Sequence, residues 1–158
     1  MIHEKEERSL IIIKPDALQR SLVGEIITRF ERKGLSIIGM KMIRLDNALV
    51  EDHYAHIKDK DFFPRIRRFM TSTPVIVMAV SGLSVVDAIR VIVGPTKGFE
   101  AAGGTIRGDY SLSMQSNIVH ASDSKEAAEA EIARFFKPEE LMQYEKISTA
   151  FVHSDELM

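Results

Sequence analysis

The order of short apolar segments and amphipathic segments constrains the fold of this chain more than any other feature. The run Ser9–Ile13 is apolar, rich in β-branched residues and ended by Lys14-Pro15, which predicts a buried strand. Further strands are predicted at about 35–45, 75–80 and 116–120. Apolar side chains at helical spacing predict helices over 22–33, 47–57, 61–70, 85–93 and 125–136. Candidate N-caps for the last two are Ser84, Ser122 and Ser124.

Without the central helix pair, the predicted order is β-α-β-β-α-β. That order predicts an α+β, ferredoxin-like fold: a four-stranded antiparallel sheet with helices on one face and an inserted helix pair. No repeat or linker interrupts the 158 residues, so we expect a single domain over 1–158, with a core at about 8–136 and a C-terminal tail at 137–158. The fold alone does not indicate a function, because it hosts many unrelated ones.

Composition excludes several classes of protein. With 45% apolar and 28% charged residues, the chain has the average make-up of a globular protein. The absence of cysteine excludes disulfides, cysteine nucleophiles and cysteine-ligated metal sites. No apolar run approaches the length of a membrane span, and the N-terminus is charged where a signal peptide would be apolar. We therefore expect a cytoplasmic protein that does not bind membranes.

Positive charge is concentrated in the middle of the chain. Residues 57–107 contain eight Lys/Arg and four Asp/Glu, although the whole chain has a formal net charge of −2. A basic segment in an acidic protein is compatible with a compact anionic ligand, but it is equally what solvated helix faces produce. The overall charge does not favour binding to nucleic acid.

Three residues are candidates for chemistry on their context. His120 ends an apolar strand just before a helix, Arg107 lies between glycines in the long loop 94–108, and Lys14 ends the first strand. Each has a structural alternative: a satisfied histidine, a surface arginine in a turn, and a lysine that merely ends a strand. Neither a G-x-x-x-x-G-K-[ST] loop nor a strand-linked G-x-G-x-x-G motif is present, and no residues have metal-ligand spacing. We expect His53 and His56 to have surface or packing roles, and His3 and His153 to be solvated.

Five segments share their order and spacing with a known family. They are KPDA at 14–17, RSLVGEI at 20–26, KDKDFF at 58–63, GTIRGD at 104–109 and NIVHASDS at 117–124. Together they closely resemble nucleoside diphosphate kinase over about 8–136, and the last two segments are the most specific. The resemblance implies reversible transfer of the γ-phosphoryl group, mainly from ATP, to nucleoside diphosphates by a ping-pong mechanism that maintains nucleoside triphosphate pools.

The resemblance also implies roles for individual residues, position by position. His120 matches the phosphorylated nucleophile, Ser122 and Glu131 the residues that support it, and Tyr54 a tyrosine of the same pocket. The positions that hold the phosphates are Lys14, Arg90, Thr96 and Arg107, and those that reach the sugar hydroxyls are Lys14 and Asn117. The base is implied to stack on Phe62, flanked by Ile66 and Met114. Imidazole suits the first role, since its pKa of about 6.5 leaves a free lone pair at neutral pH.

Further implications are Mg²⁺ held by the nucleotide phosphates rather than by a protein ligand set, and a homo-oligomer, hexameric or tetrameric, built from dimers. The chain departs from the family pattern at Ala17 and Ser21, where glycine is usual, and at Thr96-Lys97-Gly98, where Thr-Asn-Pro is usual. The lost proline raises a question about the rigidity of that loop. Two other functions stay open on the sequence: a catalytically silent nucleotide-binding protein, and an RNA-binding module, which the aliphatic strands disfavour.

Overall fold

Four antiparallel strands form one sheet in the order β2-β3-β1-β4. The strands are β1 (Glu6–Ile13), β2 (Ser36–Ile43), β3 (Val75–Leu83) and β4 (Val119–Ala121). The computed structural model describes residues 6–153, so His3, with the rest of 1–5, and residues 154–158 lie outside the described part. The strand order and the antiparallel pairing confirm the ferredoxin-like α+β fold.

Eight α-helices connect and follow the strands within residues 6–153. They are α1 (Pro15–Gln19), α2 (Val23–Arg32), α3 (Asn47–His53), α4 (Phe63–Met70), α5 (Val85–Val93), α6 (Ile106–Tyr110), α7 (Lys125–Phe135) and α8 (Thr149–Val152). Short 3₁₀ helices occur at Ala55–Ile57, Gly98–Glu100 and Pro138–Glu140. None of the described helices has the length and apolar character needed to cross a membrane.

Both faces of the sheet are covered. Ile11 and Ile13 of β1 pack with α2 and α5 on one face, while Leu10 and Ile12 pack with α3, α4 and α7 on the other. The prediction of helices on one face is therefore correct for α2 and α5 but incomplete. Because four consecutive residues of β1 are apolar, neither face of that strand can be left in water, and the inserted pair and α7 bury the second face.

The register of the sheet brings the predicted site residues to one edge. Ile12 pairs with His120 across β1 and β4, so Lys14, two residues beyond Ile12, leaves the sheet beside the nucleophile candidate. The amide of Lys14 donates to the carbonyl of Ile118 at 2.9 Å, which fixes that neighbourhood.

Several local predictions were wrong. The strand expected at 116–120 begins only at Val119, the loop 94–108 contains a 3₁₀ turn and the start of α6, and α1 was not predicted. Ser84 has a left-handed φ of 45° and makes no capping bond from its side chain. At the start of α7, Ser124 accepts from the amide of Ala127, whereas Ser122 is used elsewhere. Sequence propensity and spacing do not predict a contact such as that of Ser122 with β1, which joins segments far apart in the chain.

Candidate active site

A cleft of about 890 Å³ lies at the edge of the sheet where β1 ends and β4 begins. All of the predicted site residues line it except Ser122 and Glu131: Lys14, Tyr54, Phe62, Ile66, Arg90, Thr96, Arg107, Met114, Asn117 and His120. Its charged lining comprises four cationic side chains, Lys14, Arg65, Arg90 and Arg107, and one carboxylate, Asp123. Such a lining concentrates positive potential and favours an anionic ligand.

The basic segment 57–107 thus contributes some of its arginine residues to the lining of the cleft. Arg65, Arg90 and Arg107 line it, whereas Arg67 pairs with Glu51 and Lys97 with Glu100 on the surface. The two interpretations of the charge run, an anionic ligand and solvated helix faces, each account for some of its residues.

A partly buried carboxylate on α7 holds His120 on the side of Nε2. Nε2 of His120 lies 3.0 Å from Oε2 of Glu131, and the same oxygen accepts a 2.7 Å bond from the hydroxyl of Ser122. Burial alone would raise the pKa of Glu131, but the hydrogen bonds from His120 and Ser122 outweigh it and hold the pKa below its ordinary value. Since an ionised carboxylate can only accept, the imidazole carries its proton on Nε2, and Nδ1 keeps a free lone pair.

Ser122, the residue after β4, also forms a hydrogen bond with β1. Its Oγ accepts from the amide of Leu10 at 3.0 Å, across the sheet from β1. The side chain is fully buried, so it joins the backbone of β1 to the carboxylate behind His120.

Lys14, Asn117 and Arg107 form a partly buried polar group beside His120. Nζ of Lys14 donates to Oδ1 of Asn117 at 2.6 Å. The guanidinium of Arg107 donates to the carbonyls of Asn117, Gly94 and Val119 at 3.2, 3.0 and 2.7 Å. Burial, followed by the charge of Arg107, lowers the pKa of Lys14 to about 8, and burial with the charge of Arg90 lowers the pKa of Arg107 to about 10.

The backbone between Asn117 and His120 is strained. Ile118 has a φ of 74°, a left-handed conformation that a β-branched residue rarely adopts. The carboxylate of Asp16 accepts from the Ile118 amide at 3.0 Å, and its other oxygen is buried with no hydrogen-bond partner in the described part of the chain. Backbone strain of this kind clusters at functional sites, where surrounding contacts hold it in place.

The loop from Thr96 to Gly98 is ordered by contacts that a glycine permits. A Cβ on Gly98 would lie 2.4 Å from Oγ of Ser111, and the Gly98 amide donates to the carbonyl of Ser113 at 3.3 Å. The carbonyl of Thr96 accepts from the side chain of Asn117 at 2.9 Å. Glycine therefore fits here for a steric reason, and hydrogen bonds supply rigidity where the family has a proline.

The apolar end of the cleft lies between α4 and the loop 111–117. Phe62 is 41% exposed, whereas the adjacent Phe63 is 4% exposed and belongs to the core. Phe62 thus offers a ring face to a ligand, beside Ile66 and Met114. Across the mouth, Nε2 of Gln115 lies 3.4 Å from the carbonyl of Arg65.

Sequence reasoning missed the cleft residues Arg65, Gln115 and Asp123, and it gave His53 no contact with the site. Arg90 forms an ion pair with Asp123.

His53 is buried and its ring contacts that of His120, while His56 is exposed at the rim of the cleft. The neighbouring Tyr54 has its pKa raised by burial and then by the charge of Glu131, so its phenol stays protonated.

Within residues 6–153, one group of His, Asp and Glu side chains is close enough to ligate a common ion: His53, His120 and Glu131, with candidate atoms within 4.8 Å of one another. Sequence spacing does not predict this group, because its members come from three distant elements. Two imidazoles and a carboxylate suit Zn²⁺ better than Mg²⁺, which prefers oxygen ligands.

Comparison with known proteins gives a consistent result. The sequence model of the family described as nucleoside diphosphate kinase matches residues 7–141. The chain is 53% identical over 139 residues to nucleoside diphosphate kinase from Parabacteroides distasonis, covering 88% of this chain and 91% of the relative. Against the enzyme from Pyrococcus horikoshii, the identity is 51% over 148 residues, covering 92% and 94%.

Solved structures agree with the sequence comparison. A nucleoside diphosphate kinase from Halobacterium salinarum in complex with CDP superposes with a TM-score of 0.91 at 42% identity, covering 93% of this chain and 98% of the other. The enzyme from Aquifex aeolicus gives a TM-score of 0.83 at 34% identity, covering 87% and 99%.

Proposed function

This chain belongs to the nucleoside diphosphate kinase family, and we propose that His120 carries the phosphoryl group between its two nucleotide substrates. The enzyme transfers the γ-phosphoryl group of a nucleoside triphosphate reversibly to a nucleoside diphosphate. The observation that supports His120 is its bond to Glu131 through Nε2, which leaves the lone pair of Nδ1 for the cleft.

In the first half-reaction, the Nδ1 lone pair attacks the γ-phosphorus. The bond from that phosphorus to the bridging oxygen breaks, and its electron pair leaves with the nucleoside diphosphate. The imidazole becomes cationic as the N–P bond forms, and the Nε2 proton stays in its bond to the ionised Glu131, which stabilises that charge. No separate base is needed, because Nδ1 has no proton to lose.

In the second half-reaction, a terminal oxygen of the acceptor diphosphate attacks the phosphorus on His120. The N–P bond breaks, and its electron pair returns to Nδ1. The phosphoramidate keeps a high transfer potential, so the group can leave again in either direction. A serine ester in its place would be too stable to exchange.

Lys14, Arg90 and Arg107 neutralise the phosphates during both steps, with Thr96 and the Tyr54 phenol as hydrogen-bond donors at the same end of the cleft. Positioned cations of this kind are the main source of catalysis in phosphoryl transfer. Asn117, which accepts a hydrogen bond from Lys14, would contact the sugar hydroxyls together with that lysine.

Mg²⁺ fits this site when it enters with the nucleotide. The single carboxylate in the lining of the cleft, Asp123, is already paired with Arg90, whereas nucleotide phosphates supply the hard oxygen ligands that Mg²⁺ prefers. Held by those phosphates, Mg²⁺ would offset negative charge on the transferring group.

We propose that the base stacks on Phe62 between Ile66 and Met114. Stacking depends little on base identity, since every base has a π-face, so substrates with different bases should be accepted. ATP is then the main donor because of its supply in the cell rather than through strict recognition.

We also propose a homo-oligomer, a hexamer or a tetramer built from dimers, in the cytoplasm. Apolar side chains on the edge strand β2 support it, since Met40 and Met42 are 54% and 62% exposed. The chain would act as one domain, with a core at about 8–136 and a tail at 137–158. The amide of Met142 donates to the carbonyl of Ile38 at 2.7 Å and ties the first residues of that tail to β2. Light scattering during gel filtration measures the number of subunits.

An RNA-binding function of the same fold is disfavoured. That function needs an open sheet face with exposed aromatic rings, and here α3, α4 and α7 cover the face opposite α2 and α5.

The test is to incubate the protein with γ-labelled ATP alone. We expect an acid-labile, base-stable phosphoprotein that transfers its label to added GDP. His120→Ala should take up no label and still bind ADP, whereas His153→Ala, a matched histidine variant outside the cleft, should behave as the parent chain. An alanine variant at position 120 with more than about 1% of parent activity would contradict the proposal, since losing a covalent nucleophile costs orders of magnitude in rate.

A further inference from the structure

His120 is held by one hydrogen bond to its ring within the described residues, the bond from Nε2 to Glu131 at 3.0 Å. A single bond fixes one atom of an imidazole, but the ring can still tilt about that atom and turn Nδ1 away from the line of attack. Transfer to a nucleophile requires close alignment of the reacting atoms, and a displacement of about 1 Å can cost a hundredfold in rate. The ring therefore needs a second contact.

His53 supplies that contact from the end of α3. Its ring lies 4.6 Å from the His120 ring, centroid to centroid, with an interplanar angle of 81°. Two further near-perpendicular contacts fix His53 itself: Tyr54 at 4.7 Å and 76°, and Phe135 of α7 at 5.3 Å and 73°. With 6% of its surface exposed, His53 has no room to move.

We propose that His53 is a positioning residue for phosphoryl transfer: its ring, fixed between Tyr54 and Phe135, holds the His120 imidazole in the plane that directs Nδ1 into the cleft. The inference rests on the proposed transfer through His120. His53 acts on the reaction only through His120, because it does not line the cleft that would hold the nucleotides.

The surroundings of His53 keep its ring neutral, so that it does not compete for the hydrogen bond between His120 and Glu131. Burial, then the neighbouring His120, lowers the pKa of His53 to about 3; Glu131 opposes this shift, while Arg134 and Lys14 contribute to it. Nη1 of Arg134 lies 3.5 Å from Nδ1 of His53 and disfavours a proton there. A neutral ring does not compete with His120 for Glu131, so Glu131 stays with the nucleophile.

The structure offers a clean substitution. Within residues 6–153, Nε2 of His53 is buried without a hydrogen-bond partner, so His53→Phe removes no bond at that atom. It loses the 3.5 Å contact of Nδ1 with Arg134 but keeps a planar ring in the same place. His53→Gln keeps a polar side chain but loses the ring, and His53→Ala loses both. Val50→Ala is the matched control, since Val50 is fully buried on the same helix and does not line the cleft.

The experiment measures the rate of His120 phosphorylation by γ-labelled ATP in a single turnover, the dissociation constant of ADP and the thermal midpoint of each variant. We expect His53→Ala and His53→Gln to slow phosphorylation at least about tenfold, with ADP binding within about twofold of the parent. His53→Phe should stay within about threefold of the parent rate. Val50→Ala should lower the thermal midpoint and leave the phosphorylation rate unchanged.

Three outcomes would overturn the positioning role: parental rates in both His53→Ala and His53→Gln, a loss in His53→Phe as large as that in His53→Ala, or the same loss in Val50→Ala. The proposed function fails differently, because the parent protein would then take up no label at all. If His53→Ala does not fold, the Gln and Phe variants still decide the question.

Discussion

Replacing Glu131 by glutamine should slow phosphorylation of His120 about tenfold. The amide keeps the size of the side chain and one acceptor oxygen, but it removes the charge that faces Nε2 at 3.0 Å. A hydrogen bond to a charged group contributes about 1.5–3 kcal/mol and one between neutral groups about 0.5–1.5 kcal/mol. The difference of about 1–1.5 kcal/mol arises mainly when the imidazole becomes cationic, and about 1.4 kcal/mol corresponds to a tenfold change in rate.

Replacing the same residue by alanine should cost more. Glu131 accepts from both His120 and Ser122, so Glu131→Ala leaves two polar groups without their partner. At about 1–3 kcal/mol for each unsatisfied group, we expect a total near 3 kcal/mol and a loss of at least about a hundredfold. The order of rates should therefore be parent, Glu131→Gln, Glu131→Ala.

The assay is quenched-flow labelling with γ-labelled ATP in the absence of acceptor, together with thermal unfolding of each variant. Glu129→Gln is the matched control, since Glu129 lies on the same helix and pairs with Arg8 on the surface. A Glu131→Gln enzyme that phosphorylates itself at the parental rate would refute the role given to the charge. Equal rates in the Gln and Ala variants would refute the role given to the acceptor oxygen.

Three further predictions concern the rest of the site. The ratio kcat/KM should fall as the pH rises above about 8, where the free enzyme loses the proton of Lys14, and Lys14→Arg, although slower, should lack this alkaline decline. Phe62→Ala should weaken the binding of nucleotides with any base by about 1–3 kcal/mol, purine nucleotides most. Phe63→Ala should instead lower the free energy of unfolding by about 3–5 kcal/mol and leave the ratio of kcat/KM for purine and pyrimidine substrates unchanged. A change of that ratio in Phe63→Ala alone would contradict both assignments. Gly98→Ala should lower the free energy of unfolding in chemical denaturation by about 1–3 kcal/mol, because its Cβ would collide with Ser111. Gly103→Ala should leave stability unchanged, since a Cβ there would have no atom within 4 Å. Equal stabilities of the two variants would show that the loop moves to accommodate the extra methyl group.

The sequence predicted the framework of the molecule because the framework depends on local patterns. The apolar run ending at Ile13 predicts the strand that carries Lys14 at its end, whereas the meeting of Lys14 with His120 depends on β4 beginning only at Val119 and pairing antiparallel with β1. The covered second face was also implicit in that run, since four consecutive apolar residues cannot all point to one side. The inserted helix pair is therefore also a cover for the second face of the sheet.

The contacts between distant segments could not be predicted in the same way. His53 and His120 are 67 positions apart, on α3 and β4, and only the tertiary packing of these two elements brings their rings together. The left-handed φ of Ile118 contradicts the preference of a β-branched residue, and it is the carboxylate of Asp16, 102 positions away, that holds it. Local propensity predicts the relaxed conformation, so it fails where tertiary contacts impose another.

The same contacts show why the site is costly for the fold. Lys14 has a pKa lowered to about 8 from an ordinary value near 10.5, so between these two values the unfolded chain binds more protons than the folded one. The free energy of unfolding contributed by this group therefore rises with pH over that interval, and at neutral pH the buried ammonium destabilises the protein. The unpartnered oxygen of Asp16 and the strained Ile118 act in the same direction. A chain selected for stability alone would replace these groups with apolar ones, whereas a site that must bind phosphates without water between them needs its cations buried.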